Sequence, residues 1–203
     1  MLTVHHLGVS QSLRIVWLCE ELEIPYALKV YKRAESGLAP PEYKALHPAG
    51  TAPIITDGDV VLPESGAIIE YIIARHGDGR IAVPPSAPNF ADYLFWLHFA
   101  NGSFLPSSIA VMFSGENDGP ESKFGQVMRA RNERAWRLVE ERLGQAPYFA
   151  GDALTGADIM MLFPVGTPPG FGARDLSPYP NTRAYIQRIG DRPAYRRALE
   201  KAF

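Results

Sequence analysis

The chain has 203 residues and a mass of 22.4 kDa, which is enough for a substantial core and for one or two domains. Its 20 basic and 22 acidic residues are mixed along the sequence and give a net charge of −2, so the basic surface of a nucleic-acid or anionic-membrane binder is excluded. One cysteine, Cys19, excludes an internal disulfide, and no apolar run reaches the ~20 residues of a membrane span, so we expect a cytoplasmic protein.

The first 77 residues alternate strand and helix patterns, which predicts an α/β domain. The dipeptide Asp57-Gly58 lies between two short apolar runs and predicts a two-residue hairpin turn. In chain order the predicted elements are a strand at 2–7, a helix at 12–23, a strand at 26–33, a short helix or loop at 42–47, strands at 53–56 and 60–62, and a helix at 64–77.

Residues 78–89 are rich in glycine and proline and lack apolar periodicity, which is typical of a linker. The remainder, residues 90–203, predicts an all-helical domain, and Pro106 should kink the first of its helices. The predicted helices of this domain span 90–113, 121–143, 155–164, 182–189 and 194–202.

Pro53 opens a strand pattern although proline has no N–H to donate to a ladder. One interpretation is an ordinary trans proline at a strand start, since only ~5% of X-Pro bonds in folded proteins are cis. The other is a cis Ala52-Pro53 bond in a tight loop that turns the Ala52 backbone toward an extended peptide. The local sequence leaves both open.

Glu64 and Ser65 open the third predicted helix. A structural interpretation is capping, because an acid favours a helix N-terminus and a serine satisfies one of its free N–H groups. The same geometry also suits an amino-acid head group, with Ser65 and backbone N–H groups for its carboxylate and Glu64 for its ammonium. Together with the Pro53 loop, this pattern suggests a ligand with a peptide backbone and a free amino-acid end.

Two adjacent histidines lie in the first predicted strand. His5 and His6 should point to opposite faces of the sheet, and no carboxylate cluster accompanies them, so we expect two structural histidines and no metal site. Cys19 falls within the buried first helix and is assigned no chemistry.

The runs HHLGVSQSLRIVWLCEEL, HPAGTAP and PESGAIIEYI, followed by a helical domain, resemble the cytosolic glutathione S-transferases, and the resemblance covers essentially the whole chain. It is nearest to bacterial and fungal members of the theta-like serine type. The resemblance implies a thioredoxin-like first domain that binds glutathione, a helical domain with a hydrophobic co-substrate pocket, and a homodimer. The run LTGADI matches the family too and predicts a capping box from Thr155 to Asp158.

The resemblance also implies the site residues. A thiol with a pKa of about 8.5 needs a hydrogen bond or a positive potential to act as a thiolate. Ser10 resembles the active-site serine of theta-like classes, and Ser12 is the reserve candidate, with an N-cap role as its structural interpretation. Glutathione would contact Thr51, Ala52, Pro53, Glu64 and Ser65, and the co-substrate pocket would include Phe104, Met112 and Phe113.

Two residues depart from the family pattern. Thr51 stands where many relatives have a lysine for the glycine carboxylate, so Lys44, Arg33 or His47 would have to substitute. Asn101 stands where close relatives have an acid. In the family an acid from the partner subunit often helps to bind the γ-glutamyl ammonium, and if this position has that role, Asn101 weakens the contact.

The sequence leaves two hypotheses for function. The first is a glutathione S-transferase that conjugates or reduces hydrophobic electrophiles or peroxides. The alternative is a non-catalytic relative that binds glutathione or an apolar ligand. A thioredoxin-like thiol oxidoreductase is excluded because the loop at GVSQSLR contains no cysteine.

Overall fold

The structure is a computed structural model, and it describes residues 1–113, 122–166 and 174–203. It divides into two compact units, Met1–Ala82 with Ile189–Phe203, and Val83–Arg188. The C-terminal residues, which the sequence pattern assigned to the helical domain, therefore belong by their contacts to the first unit. The predicted domain limits stay a prediction.

The first unit contains a four-stranded mixed sheet in the order β2-β1-β3-β4. Strand β1 runs parallel to β2 and antiparallel to β3, so that Val4 lies opposite both Leu28 and Ile55. The predicted β-α-β and β-β-α order is confirmed. Its elements are β1 Thr3–Leu7, α1 Leu13–Leu22, β2 Ala27–Tyr31, α2 Pro41–Lys44, β3 Ile54–Asp57, β4 Val60–Pro63, α3 Ser65–Arg75 and α9 Pro193–Ala202.

The turn between β3 and β4 differs from the prediction by one residue. Asp57 is still in the strand and pairs with Val60, so the two loop residues are Gly58 and Asp59. Gly58 has a φ of +58°, which a glycine adopts without steric cost at the first loop position. The dipeptide signal therefore located the hairpin correctly and placed the turn one residue early.

Helix α9 packs against α1 through a buried carboxylate, and this explains its place in the first unit. Glu20 accepts hydrogen bonds from Arg197 (2.9 Å), from Tyr26 (2.6 Å) and from Lys201. Burial alone would raise the pKa of Glu20, but the bonds from Lys201, Tyr26 and Arg197 hold it below its usual value. An ionised Glu20 thus ties the last helix to the first one.

The second unit is built from helices. Its described elements are α4 Phe90–Phe99, a π-helical segment Ala100–Phe104, α5 Leu105–Phe113, α6 Lys123–Gln145, α7 Gly156–Val165 and α8 Pro180–Gly190, whose last two residues belong to the first unit. No helix in the described ranges is long and apolar enough to cross a membrane.

Pro106 coincides with a change of helix type. The Leu105 N–H bonds to the carbonyl of Ala100, five residues back, in the π-helical segment that precedes the proline. Proline lacks an N–H and clashes with the carbonyl four residues before it, so a wider turn here relieves both problems. The structure therefore has a π-helical turn before Pro106, and the predicted kink stays a prediction.

The capping box at the start of α7 is confirmed. The Asp158 carboxylate accepts from the backbone N–H of Thr155 (2.8 Å) and from that of Phe149 (3.0 Å), and the Thr155 hydroxyl accepts from Ala157 N–H (3.3 Å). Burial raises the pKa of Asp158 to about 6, against the lowering effect of these hydrogen bonds. This helix start is satisfied entirely by its own segment.

Candidate functional site

The loop between β1 and α1 carries the predicted catalytic serine, and Arg33 holds this loop in place. The guanidinium donates to the carbonyl oxygens of Gly8 (2.8 Å), Val9 (2.8 Å) and Gly37 (2.9 Å). Val9 has a φ of +50°, a left-handed conformation that a branched residue rarely adopts. Arg33 therefore bonds to two backbone carbonyls of this loop and to that of Gly37 after β2, and its predicted role as a substitute carboxylate ligand is not supported by these bonds.

The Ser10 hydroxyl lies in a compact network at the end of β1. Its Oγ is 2.7 Å from the carbonyl oxygen of Leu7 and 2.7 Å from Oγ of Ser12, and it accepts from the Ser12 N–H at 3.2 Å. Ser10 is 8% exposed, whereas Ser12 is fully buried. Of the two candidate serines, only Ser10 retains surface that a ligand can reach.

Ser12 does precede α1, but the capping role predicted for its side chain is wrong. Its hydroxyl makes no capping hydrogen bond to the start of α1 in the described chain. It accepts instead from the N–H of Leu7 (3.1 Å), and it lies 2.8 Å from Nδ1 of His6. The Ser12 hydroxyl bonds to β1 and not to its own helix because His6, in β1, faces the start of the helix.

The Ala52-Pro53 peptide bond is cis, as in the second of the two interpretations left open by the sequence, and the pairing of the Ala52 backbone with a peptide stays a prediction. Thr51 is exposed, Ala52 is half-buried and Pro53 is buried. Two of the three candidate cations also have defined surroundings, since Lys44 is exposed on α2 and His47 Nδ1 accepts from Ala49 N–H at 3.1 Å.

The start of α3 differs from a capped helix end. Glu64 is the N-cap residue, is exposed, and has the left-handed φ of +74°, without a side-chain capping bond. Ser65 is 1% exposed, and its Oγ has no hydrogen-bond partner among the described residues. Because an unpaired buried hydroxyl costs free energy, a bound group that pairs with it would remove that cost. No side-chain capping bond accounts for this serine, and its predicted role in ligand binding stays a prediction.

The three predicted pocket residues have different surroundings. Met112 lines a cavity of about 410 Å³ within the second unit. Phe104 is fully buried and packs edge-on against Trp136 at 5.1 Å between ring centroids, so it is part of the core. Phe113 is 72% exposed at the end of α5. Of the three, only Met112 is among the described residues that line the cavity.

The cavity wall is mostly apolar, with a polar patch contributed by α5 and α6. Asn132 donates to the Ser108 hydroxyl at 2.8 Å, and the Arg174 guanidinium is paired with Glu133 at 2.9 Å and lies over the Trp136 ring. The apolar wall includes Leu105, Ile109, Val111, Val165, Leu176 and Ile186. Since its one cation is paired, the described wall suits an uncharged apolar compound.

The remaining groups support the sequence analysis in part. Cys19 is buried, and burial raises the pKa of its thiol, which leaves it unreactive. Asn101 lies half-buried in the π-helical segment. No group of three or more potential metal ligands occurs in residues 1–113, 122–166 or 174–203. His6, which sequence reasoning assigned only a structural role, is joined to the serine network; no local pattern indicates this contact.

Family comparisons agree with this arrangement. The profile of the glutathione S-transferase N-terminal domain matches residues 10–75, and that of the C-terminal domain matches residues 108–193. Glutathione S-transferase 3 of Schizosaccharomyces pombe is 36% identical, in an alignment that covers 99% of this chain and 88% of that relative. The chain belongs to the glutathione S-transferase family.

Solved members of the glutathione S-transferase family share the fold. A glutathione S-transferase from Actinobacillus pleuropneumoniae superposes with a TM-score of 0.90 at 35% identity, covering 100% of this chain and 93% of that one. A glutathione transferase from Phanerochaete chrysosporium, solved with oxidized glutathione, gives a TM-score of 0.79 at 21% identity and covers 99% and 94% of the two chains. The predicted fold class, a thioredoxin-like α/β domain followed by a helical domain, is confirmed.

Proposed function

We propose that the protein is an active glutathione S-transferase, which binds glutathione on the first unit and joins it through its sulfur to a hydrophobic electrophile or uses it to reduce a peroxide. The observation that carries the proposal is the buried Ser65 hydroxyl at the start of α3, which lacks a partner among the described residues. Together with the family assignment, it points to a ligand with a carboxylate at this helix end.

Glutathione would be bound at two places on the first unit. Its γ-glutamyl carboxylate would accept from Ser65 Oγ and the free N–H groups of α3, and its ammonium would pair with Glu64. Its peptide backbone would pair with the segment from Thr51 to Pro53. Lys44 and His47 remain candidates for its glycine carboxylate, since Arg33 is occupied by backbone carbonyls.

Ser10 would stabilise the thiolate. In the structure its hydroxyl lies 2.7 Å from the Leu7 carbonyl, so it has to rotate from that oxygen to donate to sulfur. The thiolate lone pair then forms the new carbon–sulfur bond while the leaving group departs with its electron pair. With a peroxide, sulfur attacks one oxygen, the O–O bond breaks, and a second glutathione completes the reduction as the disulfide.

The helical unit would bind the co-substrate. Its cavity of about 410 Å³ has an apolar wall that includes Met112, and its polar patch is already internally bonded through Asn132 and Ser108. This composition favours an uncharged, largely apolar electrophile. We also propose that the protein acts as a homodimer, which sedimentation analysis would test.

A non-catalytic binding protein is the second candidate, and a specific observation favours it. The Ser10 hydroxyl already has two close partners, Leu7 and Ser12, so donation to a sulfur requires giving up an existing bond. Thr51 and Asn101 also stand where the family resemblance implies a lysine and an acid. In that case glutathione would bind with its thiol pKa near the free value.

The test compares the parent with Ser10→Ala. Calorimetry would measure glutathione affinity, and the ultraviolet absorbance of the thiolate would be titrated on bound glutathione. We expect the parent to lower the thiol pKa and Ser10→Ala to reverse most of that shift, with a loss of about 10- to 100-fold in turnover of an electrophile. Ser36→Ala, an exposed serine, is the matched control. A parent that binds glutathione without lowering its thiol pKa would establish the non-catalytic alternative.

A further inference from the structure

His6 is linked to the proposed catalytic serine by a continuous line of side chains. Its Nδ1 lies 2.8 Å from Ser12 Oγ, which lies 2.7 Å from Ser10 Oγ. His6 and Ser12 are fully buried, so neither can exchange its partner for bulk water. Each link is within hydrogen-bond distance, and the line runs from β1 to Ser10, which is 8% exposed whereas Ser12 is fully buried.

Ser12 has a single hydroxyl proton, so its hydrogen bond with His6 determines whether Ser12 donates to Ser10 or only accepts from it. Ser12 Oγ has one proton and two lone pairs, and the Leu7 N–H occupies one lone pair at 3.1 Å. A neutral His6 either accepts the Ser12 proton at Nδ1 or donates its own Nδ1 proton to the second lone pair. In the first tautomer Ser12 can only accept from Ser10, and in the second its proton is free to be donated to Ser10.

Without the imidazole, both roles would be open to Ser12. Its proton could then point to Ser10 or to the Leu7 carbonyl, 3.3 Å away, which is also the acceptor nearest to Ser10. The Ser10 hydroxyl would compete with Ser12 for one carbonyl and would lose its fixed neighbour. Fewer molecules would present the Ser10 proton to a bound sulfur, because the hydroxyl network would have several arrangements of similar energy.

The surroundings of the ring keep His6 neutral. Burial lowers the pKa of His6 to about 4, while the backbone of Ala202 acts in the opposite direction. The Phe203 ring packs edge-on against the imidazole at 5.8 Å between centroids. The ring thus contacts Phe203 and Ser12, and its Nε2 has no hydrogen-bond partner among the described residues, so Nδ1 makes the one side-chain hydrogen bond found for this ring in the described chain.

We propose that His6 is a positioning residue of the transferase site, which acts through the Ser12 hydroxyl to orient the Ser10 hydroxyl toward the glutathione sulfur. This inference rests on the proposed function, since it requires that Ser10 serves the thiolate. It assigns Ser12 a relay role in place of the helix cap that its position suggests. It also removes His6 from the set of purely structural residues.

His5 provides the comparison within the same strand. It too is a buried histidine with two hydroxyl partners, Tyr31 at 3.0 Å and Thr56 at 3.1 Å. Neither partner belongs to the proposed catalytic network. Replacement of His5 therefore disturbs the strand in a similar way without touching the line that leads to Ser10.

The experiment measures the thiol pKa of bound glutathione in matched variants. His6→Leu keeps an apolar group of similar size and removes the link, whereas His6→Asn keeps a polar atom near the position of Nδ1. We expect His6→Leu to raise the bound thiol pKa by about half a unit to one unit and to lower kcat/KM about 3- to 10-fold. His6→Asn should retain most of the parent value, and His5→Leu should leave it unchanged.

Ser12→Ala tests the relay directly. It should shift the thiol pKa in the same direction as His6→Leu, and the double variant should shift it no further than the larger of the two single changes. Thermal unfolding of every variant separates folding defects from site effects. If His5→Leu and His6→Leu are folded and equally stable, the proposal requires that they differ in the thiol pKa of bound glutathione. Additive shifts, or a His6→Leu value equal to that of His5→Leu, would overturn the proposal.

Ser10→Ala separates failure of this inference from failure of the proposed function. If Ser10→Ala leaves the bound thiol pKa unchanged, Ser10 is not the thiolate donor and the proposed mechanism is wrong. If Ser10→Ala raises the pKa while His6→Leu behaves like His5→Leu, the mechanism stands and only the positioning role of His6 is wrong.

Discussion

The starts of helices α3 and α7 combine a hydroxyl residue with an acid, and the structure uses them in opposite ways. At α7, Thr155 and Asp158 bond to each other and to their own backbone. At α3, Glu64 is exposed, and the buried Ser65 Oγ is left without a partner in the described chain. One helix end is closed by its own residues, and the other is available for a ligand.

The start of α1 is a third case and explains why residue type alone does not separate the two. Ser12 occupies the N-cap position, yet its hydroxyl bonds to Leu7 and His6 of the preceding strand. The hydroxyl of a residue at a helix start can therefore cap its own helix, bond to a neighbouring strand or remain without a partner among the described residues. The partners of its hydroxyl decide among these roles, and the partners come from the tertiary fold.

The largest expected effect is at the closed helix end. Asp158→Ala would leave the N–H groups of Phe149 and Thr155 buried without their acceptor, together with the hydroxyl of Tyr185, which lies 3.3 Å from the carboxylate. We expect the free energy of unfolding to fall by about 3 to 5 kcal/mol. Chemical denaturation measures this loss. Asp152→Ala, at an exposed site four residues after Tyr148, is the control and should change the free energy by less than about 0.5 kcal/mol.

If Asp158→Ala lowers the free energy of unfolding no more than Asp152→Ala does, the capping box does not stabilise α7. The contrast between a capped α7 and an uncapped α3 would then be wrong. A loss of glutathione affinity in a folded Asp158→Ala would contradict it differently, because a purely structural cap should not affect ligand binding beyond its effect on the folded population.

The next effect concerns His6, the histidine of β1 that contacts Ser12 at the start of α1. Because the pKa of His6 is lowered from 6.5 to about 4, the unfolded chain binds the proton more readily than the folded one. The stability that follows is complete above about pH 6.5 and is lost as the pH falls toward 4, in total about 3 kcal/mol. His6→Asn cannot titrate and should lack this dependence. Urea unfolding of parent and variant across that range measures the difference.

The contribution of His6 is the difference in the free energy of unfolding between the parent and the His6 variant. Asp158, whose pKa is raised to about 6, contributes the opposite slope, because its stability term is complete below the unfolded pKa and is lost as the pH rises through 6. That term is the same in parent and variant. His6→Leu should flatten the profile as much as His6→Asn does, and parallel profiles for parent and both variants would show that His6 is not held neutral by burial.

Local sequence patterns were sufficient for the secondary structure. The predicted helix at 121–143 is found at Lys123–Gln145, and that at 155–164 is found at Gly156–Val165, because each has a strong apolar period and a capping residue at its start. The capping box was also predictable, since both of its members lie within four residues of each other. Elements defined by neighbours in the chain can be read from the chain.

The site was less predictable because its partners are distant in sequence. The link from His6 to Ser12 joins a strand to the next helix, and the Glu20 contacts bring residues near position 200 onto α1. The Ser65 hydroxyl has no hydrogen-bond partner among the described residues, and no sequence pattern encodes the absence of a partner. Ser10 was found through the family resemblance and Ser65 through the acid and serine at a helix start, whereas nothing in the spacing HH at residues 5 and 6 indicated that only the second faces the serines.

The smallest effect, at Ser65, separates binding from capping most clearly because its two parts have opposite signs. Ser65→Ala removes a buried hydroxyl that lacks a partner among the described residues, so without ligand the free energy of unfolding should stay the same or rise by up to about 1 kcal/mol. Glutathione affinity should fall about 10-fold, since the same hydroxyl would donate to the ligand carboxylate. Ser107→Ala is the matched control: Ser107 is equally buried but donates to Phe104 O at 2.8 Å, so its removal should destabilise and leave affinity unchanged. If Ser65→Ala unfolds more easily and binds glutathione as well as the parent, α3 is a capped helix like α7. Removing a hydroxyl lowers stability without lowering affinity only when that hydroxyl stabilises the fold.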